Sequence, residues 1–345
     1  MSEGVVVRHR YGEYPVRFTD VGAIRRELGG GAFVVTDENV FTAWGGIASD
    51  PERVLVLPPG ESTKSMAMLE RVLRWLACAG ADRGSTMVAF GGGVIGDLAG
   101  LAAAIYMRGV ACVQAPTTLL AQVDSSVGGK VAVDLPEGKN LAGAFYPPKA
   151  VLVATETLRT LPEREFRGGL AEVWKYGFAL DADLASTLRG RSLVPDDDRL
   201  ADVISRCIDL KRRVVEEDEL DETGRRAVLN FGHTIGHAIE QASGYEGVLH
   251  GEAVAIGMAA EAAVGEALGV TESGVQEEIR VCLLRDGLPA ASELFARPHA
   301  LIEAMARDKK ASDGRIAMSL PTRIGECRLV RDVPAKVIEE VLGSL

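Results

Sequence analysis

Three of the chain's five histidines, His233, His237 and His250, fall within 18 residues of one another. A neutral imidazole is a common ligand for zinc and related ions, and two histidines four apart share one face of a helix. The segment 226–243 reads RAVLNFGHTIGHAIEQAS. Its spacing predicts a single helix on which Arg226, Asn230, His233 and His237 form one polar stripe, at i, i+4, i+7 and i+11. The rest of that helix is apolar, so the stripe is expected to line a cavity or a site. A lone buried histidine is more often a hydrogen-bonded core residue; three so close favour a metal. Glu172 offers a carboxylate to complete the shell, one turn before Lys175 in the apolar segment 169–180. Two histidines and one carboxylate leave coordination positions open, as catalytic zinc sites do. The alternative for Glu172 and Lys175 is an i,i+3 ion pair on a helix surface.

A second constellation is built on glycine. Gly91-Gly92-Gly93-Val94-Ile95-Gly96-Asp97 follows a predicted strand and opens a predicted helix. Glycines let a backbone approach a pyrophosphate, and a helix N-terminus supplies N–H donors. The string fits GxGxxG. The acid that an ordinary Rossmann unit carries about 20 residues on is absent, the next acid after Asp97 being Asp124. A dinucleotide site and a plain structural turn are both compatible with it. Lys130 follows Gly128-Gly129, and Lys139-Asn140 follows Gly138. Such lysines suit close approach to phosphate or carboxylate. Arg108, Lys211, Arg226 and the pair Lys309-Lys310 are further candidates. The formal net charge is −11. That argues against a nucleic acid or an anionic membrane as partner, and it makes any gathering of positive charge a sign of a bound small anion.

The elements that must hold these groups divide the chain. A length of 345 residues exceeds one ordinary core. Short β-branched strands at 5–8, 16–18, 33–36, 54–57 and 86–90 alternate with helical patterns, including one over 66–76 behind a Ser62-Thr63 cap. That alternation predicts an α/β layer with a largely parallel sheet. Segments near 162–189, 199–218, 226–243, 251–268, 273–285 and 299–308 all read as helices. The expectation is an α/β dinucleotide-binding domain over 1–155 and an all-helical domain over 156–345. Cys78, Cys112, Cys207, Cys282 and Cys327 are odd in number and form no CxxC motif, which suits reduced thiols. No apolar leader is visible, and the longest apolar stretch, 253–268, carries Glu261 and Glu266. A cytoplasmic location without a membrane span is therefore expected.

Six strings, in this order, resemble the signatures of the 3-dehydroquinate synthases: GGGVIGDLAG, RGVACVQAPTTLLAQVDSSVGGK, LPEGKNLAGAFY, GGLAEVWKYG, LNFGHTIGHAIE and LHGEAVAIGM. The resemblance runs from about Asp37 to Gly325. It implies a dehydroquinate synthase-like fold, an enzyme that uses NAD and one divalent metal, zinc or cobalt, and a homodimer. NAD would contact Asp37, Asn39, Glu61, Lys64, Gly92, Gly93, Asp97, Thr117, Thr118, Lys139, Thr157, Thr160 and Leu161. The metal would take Glu172, His233 and His250, which makes His237 a pocket residue. Substrate would meet Arg108, Asp124, Lys130, Asn140, Lys175, Lys211, Arg226, Asn230 and His237, with one of Lys309 and Lys310. The implied reaction converts an anionic sugar-acid phosphate, 3-deoxy-D-arabino-heptulosonate 7-phosphate, to 3-dehydroquinate and phosphate in the shikimate pathway. It runs by transient oxidation with NAD, phosphate elimination, re-reduction and intramolecular aldol closure. The chain departs from the family pattern at Val131, where threonine is usual, and at Pro148. The loop 218–226 is one residue longer than common, with Arg225 in place of an aliphatic residue, and this leaves the role of Glu222 open. Two other readings compete: another sugar-phosphate cyclase on the same scaffold, and a metal-dependent polyol dehydrogenase that releases its reduced cofactor.

Overall fold

Phe33, Val34 and Val35 have no polar side to offer, so a strand built from them must be covered on both faces. The computed structural model describes residues 4–28, 30–244, 247–307 and 316–345. Two compact units divide the chain, Met1–Pro162 with Val194–Leu220, and Glu163–Leu193 with Asp221–Leu345.

The first unit carries the strands β1 (Val5–His9), β2 (Gly12–Phe18), β3 (Phe33–Asp37), β4 (Val54–Leu57), β5 (Thr86–Gly91), β6 (Ala111–Pro116), β7 (Lys130–Leu135), β8 (Gly138–Phe145) and β9 (Ala150–Val153). Seven of them form one sheet in the order β1-β2-β9-β6-β5-β3-β4. β1 and β2 pair antiparallel, and the other neighbours pair parallel. β7 and β8 form a separate hairpin. Side chains alternate across β3: Phe33 and Val35 enter one apolar cluster and Val34 the other. Four helices, α1 (Val21–Leu28), α2 (Glu38–Trp44), α3 (Met66–Cys78) and α4 (Gly93–Ile105), connect the strands. Leu69, Val72 and Leu76 of α3 and Leu98 and Ala102 of α4 fill the first cluster; Val21 and Ile24 of α1 fill the second. The cap of α3 is Ser65, whose hydroxyl accepts the Met68 N–H at 3.4 Å. The expected cap residues Ser62 and Thr63 lie instead in a 3-10 turn, Glu61–Thr63. Val131 belongs to the first cluster and abuts Gly100, so an apolar side chain suits that position.

The chain enters the second unit as α5 (Glu163–Leu180) and α6 (Ala182–Gly190). The sequence suggests one helix over 162–189. Asp181 divides it by turning extended and accepting the N–H groups of Asp183 and Leu184. The next helix, α7 (Leu200–Glu217), returns to the first unit, where it packs on β1 and on the π-helical turn Ala121–Ser125. The second unit continues with α8 (His233–Ala242), α9 (His250–Ala267), α10 (Val275–Arg285) and α11 (Pro298–Arg307). A hairpin of β10 (Ile316–Arg323) and β11 (Glu326–Val333) and a last helix, α12 (Ala335–Leu342), complete it. The periodicity of the sequence did not reveal this hairpin. Its Ile316, Met318 and Leu320 share a core cluster with Ile235, Ile256 and Leu301. None of the described helices is long and apolar enough to cross a membrane. All five cysteines are free.

Helix α9 is buried along most of its length. A β-carbon at Gly251 would overlap the Gly168 carbonyl of α5, and one at Gly257 would overlap the Gly232 carbonyl just before α8. The three backbones meet without intervening side chains. In an open helix, alanine in place of glycine stabilises by about 0.5–1 kcal/mol. Here the overlap reverses the sign. Gly257→Ala is expected to lower the unfolding free energy by about 1–3 kcal/mol, read from urea melts. An unchanged or raised midpoint would show that α8 and α9 have room to part.

Candidate active site

Glu172 and Lys175 lie on the buried side of α5, at 1% and 2% exposure. They are therefore not a surface pair. Lys175 Nζ lies against Glu172 Oε2, yet neither carboxylate oxygen has a donor in hydrogen-bond geometry. The ammonium offsets the charge at Oε2, whereas the buried Oε1 has neither donor nor cation beside it among the described residues and faces two imidazoles. His233 is the first residue of α8 and His250 the first of α9. The Nε2 atoms of His233 and His250 stand 3.6 and 3.8 Å from the same oxygen, Glu172 Oε1. Ligand atoms of all three residues lie within 4.8 Å of one another. Burial, with the Lys175 ammonium and the other two histidines adding to it, holds the His233 imidazole well below the usual histidine range. At neutral pH it offers a lone pair. Two imidazoles and a carboxylate form the donor set of a zinc-class divalent ion. His237 stands beside them, its ring centroid 5.4 Å from that of His233 and 5.9 Å from that of His250.

The expected polar stripe is not one helix. Arg225–Asn230 forms a 3-10 turn, and α8 begins only at His233. Between them Gly232 takes φ 82°, a left-handed geometry that residues with side chains seldom adopt. Any side chain there would also strike Met258 and Val254 of α9. Glu261, fully buried in α9, accepts the Gly232 and Ile235 N–H groups at 2.7 and 3.0 Å. The start of α8 is thus capped from a neighbouring helix. Burial pushes the Glu261 carboxyl up to about 8, against the pull of those bonds. His233 and His237 keep a common face on α8. The turn places Arg226 and Asn230, with Arg226 only 4% exposed.

The first unit gathers its own polar residues. Lys64 Nζ is 2.6 Å from Asp97 Oδ2 and donates to Asn140 Oδ1. Burial pushes the Asp97 carboxyl up, against the pull of Lys64. Lys139 is 3.6 Å from Glu61. Lys211 Nζ is 2.9 Å from Asp124 Oδ1 and donates to the Asp124 carbonyl at 2.7 Å. Lys130 begins β7 at an exposed position, 5.8 Å over the Phe145 ring. Asn140 takes φ 55°, and its N–H donates to Asp134 Oδ1 at 2.7 Å. Arg108, at φ 69°, stands between Met107 at 49° and Gly109 at 118°. Such backbone is found where surrounding structure or function demands it.

The glycine turn joins β5 to α4. Gly92 is the cap position of α4, and a side chain there would strike Thr118. Gly93 abuts Ser125 in the same way. Thr117 is buried with its hydroxyl unpartnered, and Thr118 Oγ1 accepts the Ala121 N–H at 3.2 Å. Asp37 ends β3 and caps α2, accepting the Asn39 and Val40 N–H groups. Burial pushes its carboxyl up. Thr157 and Thr160 lie in the 3-10 turn Thr155–Thr160 after β9, which Leu161 closes. Asp37, Gly92, Thr117 and Thr157 therefore follow the carboxyl ends of four parallel strands, where open α/β sheets bind ligands. Lys309 and Lys310 lie outside the described residues.

Three supporting carboxylates escape the sequence reading: Asp134, Glu240 and Glu261. Glu240 is 3% exposed, with Oε2 3.3 Å from His250 Nδ1. Its spacing, seven residues beyond His233, is a signal that a helical wheel carries. Asp134 and Glu261 act across the β7–β8 hairpin and the α8–α9 crossing, which no local pattern announces.

The family profile described as "3-dehydroquinate synthase N-terminal" matches residues 54–168, and the one described as "3-dehydroquinate synthase C-terminal" matches residues 169–311. The chain is 51% identical over 280 residues to a "3-dehydroquinate synthase" of Pelobacter propionicus, covering 80% of this chain and 77% of that relative. It is 44% identical over 343 residues to one of Caldanaerobacter subterraneus subsp. tengcongensis, covering 94% of this chain and 96% of that relative. Among solved structures it matches ValA, the 2-epi-5-epi-valiolone synthase of Streptomyces hygroscopicus with NAD+ and Zn2+ bound. The TM-score is 0.89 at 28% identity, covering 99% of this chain and 98% of that one. Profiles matching both halves of the sequence and relatives covering most of it lead to one assignment: the chain belongs to the 3-dehydroquinate synthase family.

Proposed function

We infer that the chain converts 3-deoxy-D-arabino-heptulosonate 7-phosphate to 3-dehydroquinate and phosphate. It is a phosphorus–oxygen lyase of the shikimate pathway, dependent on NAD and one divalent metal. What carries the reading is the contrast between 51% identity to a dehydroquinate synthase and 28% to the valiolone synthase. That contrast favours this substrate over those of other cyclases or of a polyol dehydrogenase.

Glu172, His233 and His250 would hold the metal, and the undonated Glu172 Oε1 facing both imidazoles is the feature that fits one. Residues at the carboxyl ends of β3, β5, β6 and β9, with Glu61, Lys64, Asp97 and Lys139, would hold NAD. When bound, NAD takes a hydride from the substrate and gives it back, while the metal polarises the oxygen at that carbon. The remaining work falls to side chains. Arg108, Lys130, Lys175, Lys211 and Arg226 would meet the substrate's carboxylate and phosphate and hold one reacting conformer. Asp124, Asn140, Asn230 and His237 would direct its hydroxyl groups. A homodimer in the cytoplasm belongs to the same proposal and rests on the family resemblance.

Three experiments test this reading. His250→Ala should lose most of its metal by elemental analysis while its circular dichroism stays native; unchanged stoichiometry would move the metal elsewhere. Lys130→Ala should lower kcat/KM about 10- to 150-fold, equivalent to roughly 1.5–3 kcal/mol for a charged hydrogen bond. Its Tm should stay near that of the wild type, because Lys130 is exposed. A large fall in Tm with normal turnover would make Lys130 structural. Finally, NAD should be required but not consumed. Sub-stoichiometric NAD should support release of many equivalents of phosphate, with no build-up of reduced-nicotinamide absorbance. Reduced cofactor accumulating in step with substrate loss would mark a dehydrogenase, and phosphate release without NAD would make the glycine turn merely structural.

A further inference from the structure

Glu240 and His250 face each other across α8 and α9. The carboxylate is 3% exposed, and its Oε2 lies 3.3 Å from Nδ1 of the ring. The other ring nitrogen, Nε2, lies 3.8 Å from Glu172 Oε1. A neutral imidazole carries one proton and one lone pair, on different nitrogens, and an ionised carboxylate can only accept. With Glu240 at Nδ1, the proton sits on Nδ1 and the lone pair on Nε2, toward Glu172. We propose that Glu240 is a positioning residue of the metal centre, which sets the tautomer and ring plane of His250. This rests on the reading of Glu172, His233 and His250 as the metal ligands.

A competing arrangement is present. His237, Glu240 and His250 also bring ligand atoms within 4.8 Å of one another. His250 cannot serve both groups as a neutral ring, since it has one lone pair to give. Glu172 decides between them: its Oε1 is buried without a donor and faces the Nε2 atoms of His233 and His250, while Lys175 pairs with Oε2. Helix α8 therefore has two duties seven residues apart, one ligand at its first position and the support of another ligand near its end. Such carboxylate–histidine pairs raise ligand basicity and fix ring orientation, and their loss weakens metal binding by about 10- to 100-fold.

The test uses metal-free full-length protein titrated with Zn2+ against a chelating indicator, and the visible spectrum of the Co2+ form. Glu240→Ala should weaken Zn2+ binding by about 10- to 100-fold and alter the Co2+ spectrum. Glu240→Gln keeps an acceptor oxygen and should fall between Ala and the wild type; that partial rescue is what a simple packing role would not show. If Glu240→Ala fails to fold, Glu240→Gln alone carries the comparison. Wild-type affinity and spectrum in both variants, with Zn2+ lost in His250→Ala, would overturn the proposal and leave the metal site standing. Undiminished affinity in Glu172→Ala and His250→Ala would overturn the metal reading beneath it. Two ions per wild-type chain, falling to one in Glu240→Ala, would make Glu240 a ligand and overturn its positioning role.

Discussion

Helix α9 reaches α5 and the start of α8 because Gly251 and Gly257 place no atoms at the two crossings. Each metal-ligating candidate is tied to one of those contacts. His250 adjoins Gly251, His233 adjoins Gly232, and Glu172 stands one turn beyond Gly168. Ligand spacing is therefore set by backbone touching backbone. Side chains can change rotamer to absorb a small shift; a backbone crossing cannot. Metal sites need their ligands held within about 0.5 Å, and contacts of this kind supply that stiffness. The capping of α8 by Glu261 serves the same end, because it fixes where the helix carrying His233 begins.

Positive charge is distributed differently from what the net charge of −11 alone suggests. Lys64, Lys175 and Lys211 are all nearly buried, and each has a carboxylate beside it: Asp97, Glu172 and Asp124. Burial of an ammonium is costly unless a counter-charge accompanies it, and each of these has one at close range. Each ammonium is thereby held in place by its own partner.

Much of this was legible in the sequence. The strands from Phe33 to Phe90 announce themselves because a parallel sheet is apolar on both faces. Glu172 and the three clustered histidines stand out because charged or ligating residues interrupt apolar segments, whereas taking His250 over His237 as a ligand rests on the family resemblance. What escaped depended on distance. The stripe from Arg226 to His237 obeys helical spacing, yet Gly232 breaks it, since α9 presses too close for a helix to continue through that point. Asp181 divides α5 from α6 by a local cap that runs against a long helical pattern. The β10–β11 hairpin hides because its apolar residues serve a core shared with helices. Caps that act across the fold, such as Glu261, have no signature in the residues they cap.

The turn at Met107-Arg108-Gly109 has a consequence for anyone engineering the protein. Two successive residues with side chains hold positive φ there, at a cost of order 1–3 kcal/mol each. Automated stabilisation schemes would mark Met107 as a place for glycine, which removes the steric cost. If Arg108 has the substrate role proposed for it, the same exchange would loosen the backbone that presents it, trading a sturdier chain for a slacker binding group. In a library screened only for heat resistance, this turn is where gains in melting temperature and losses in turnover would be written by the same codon.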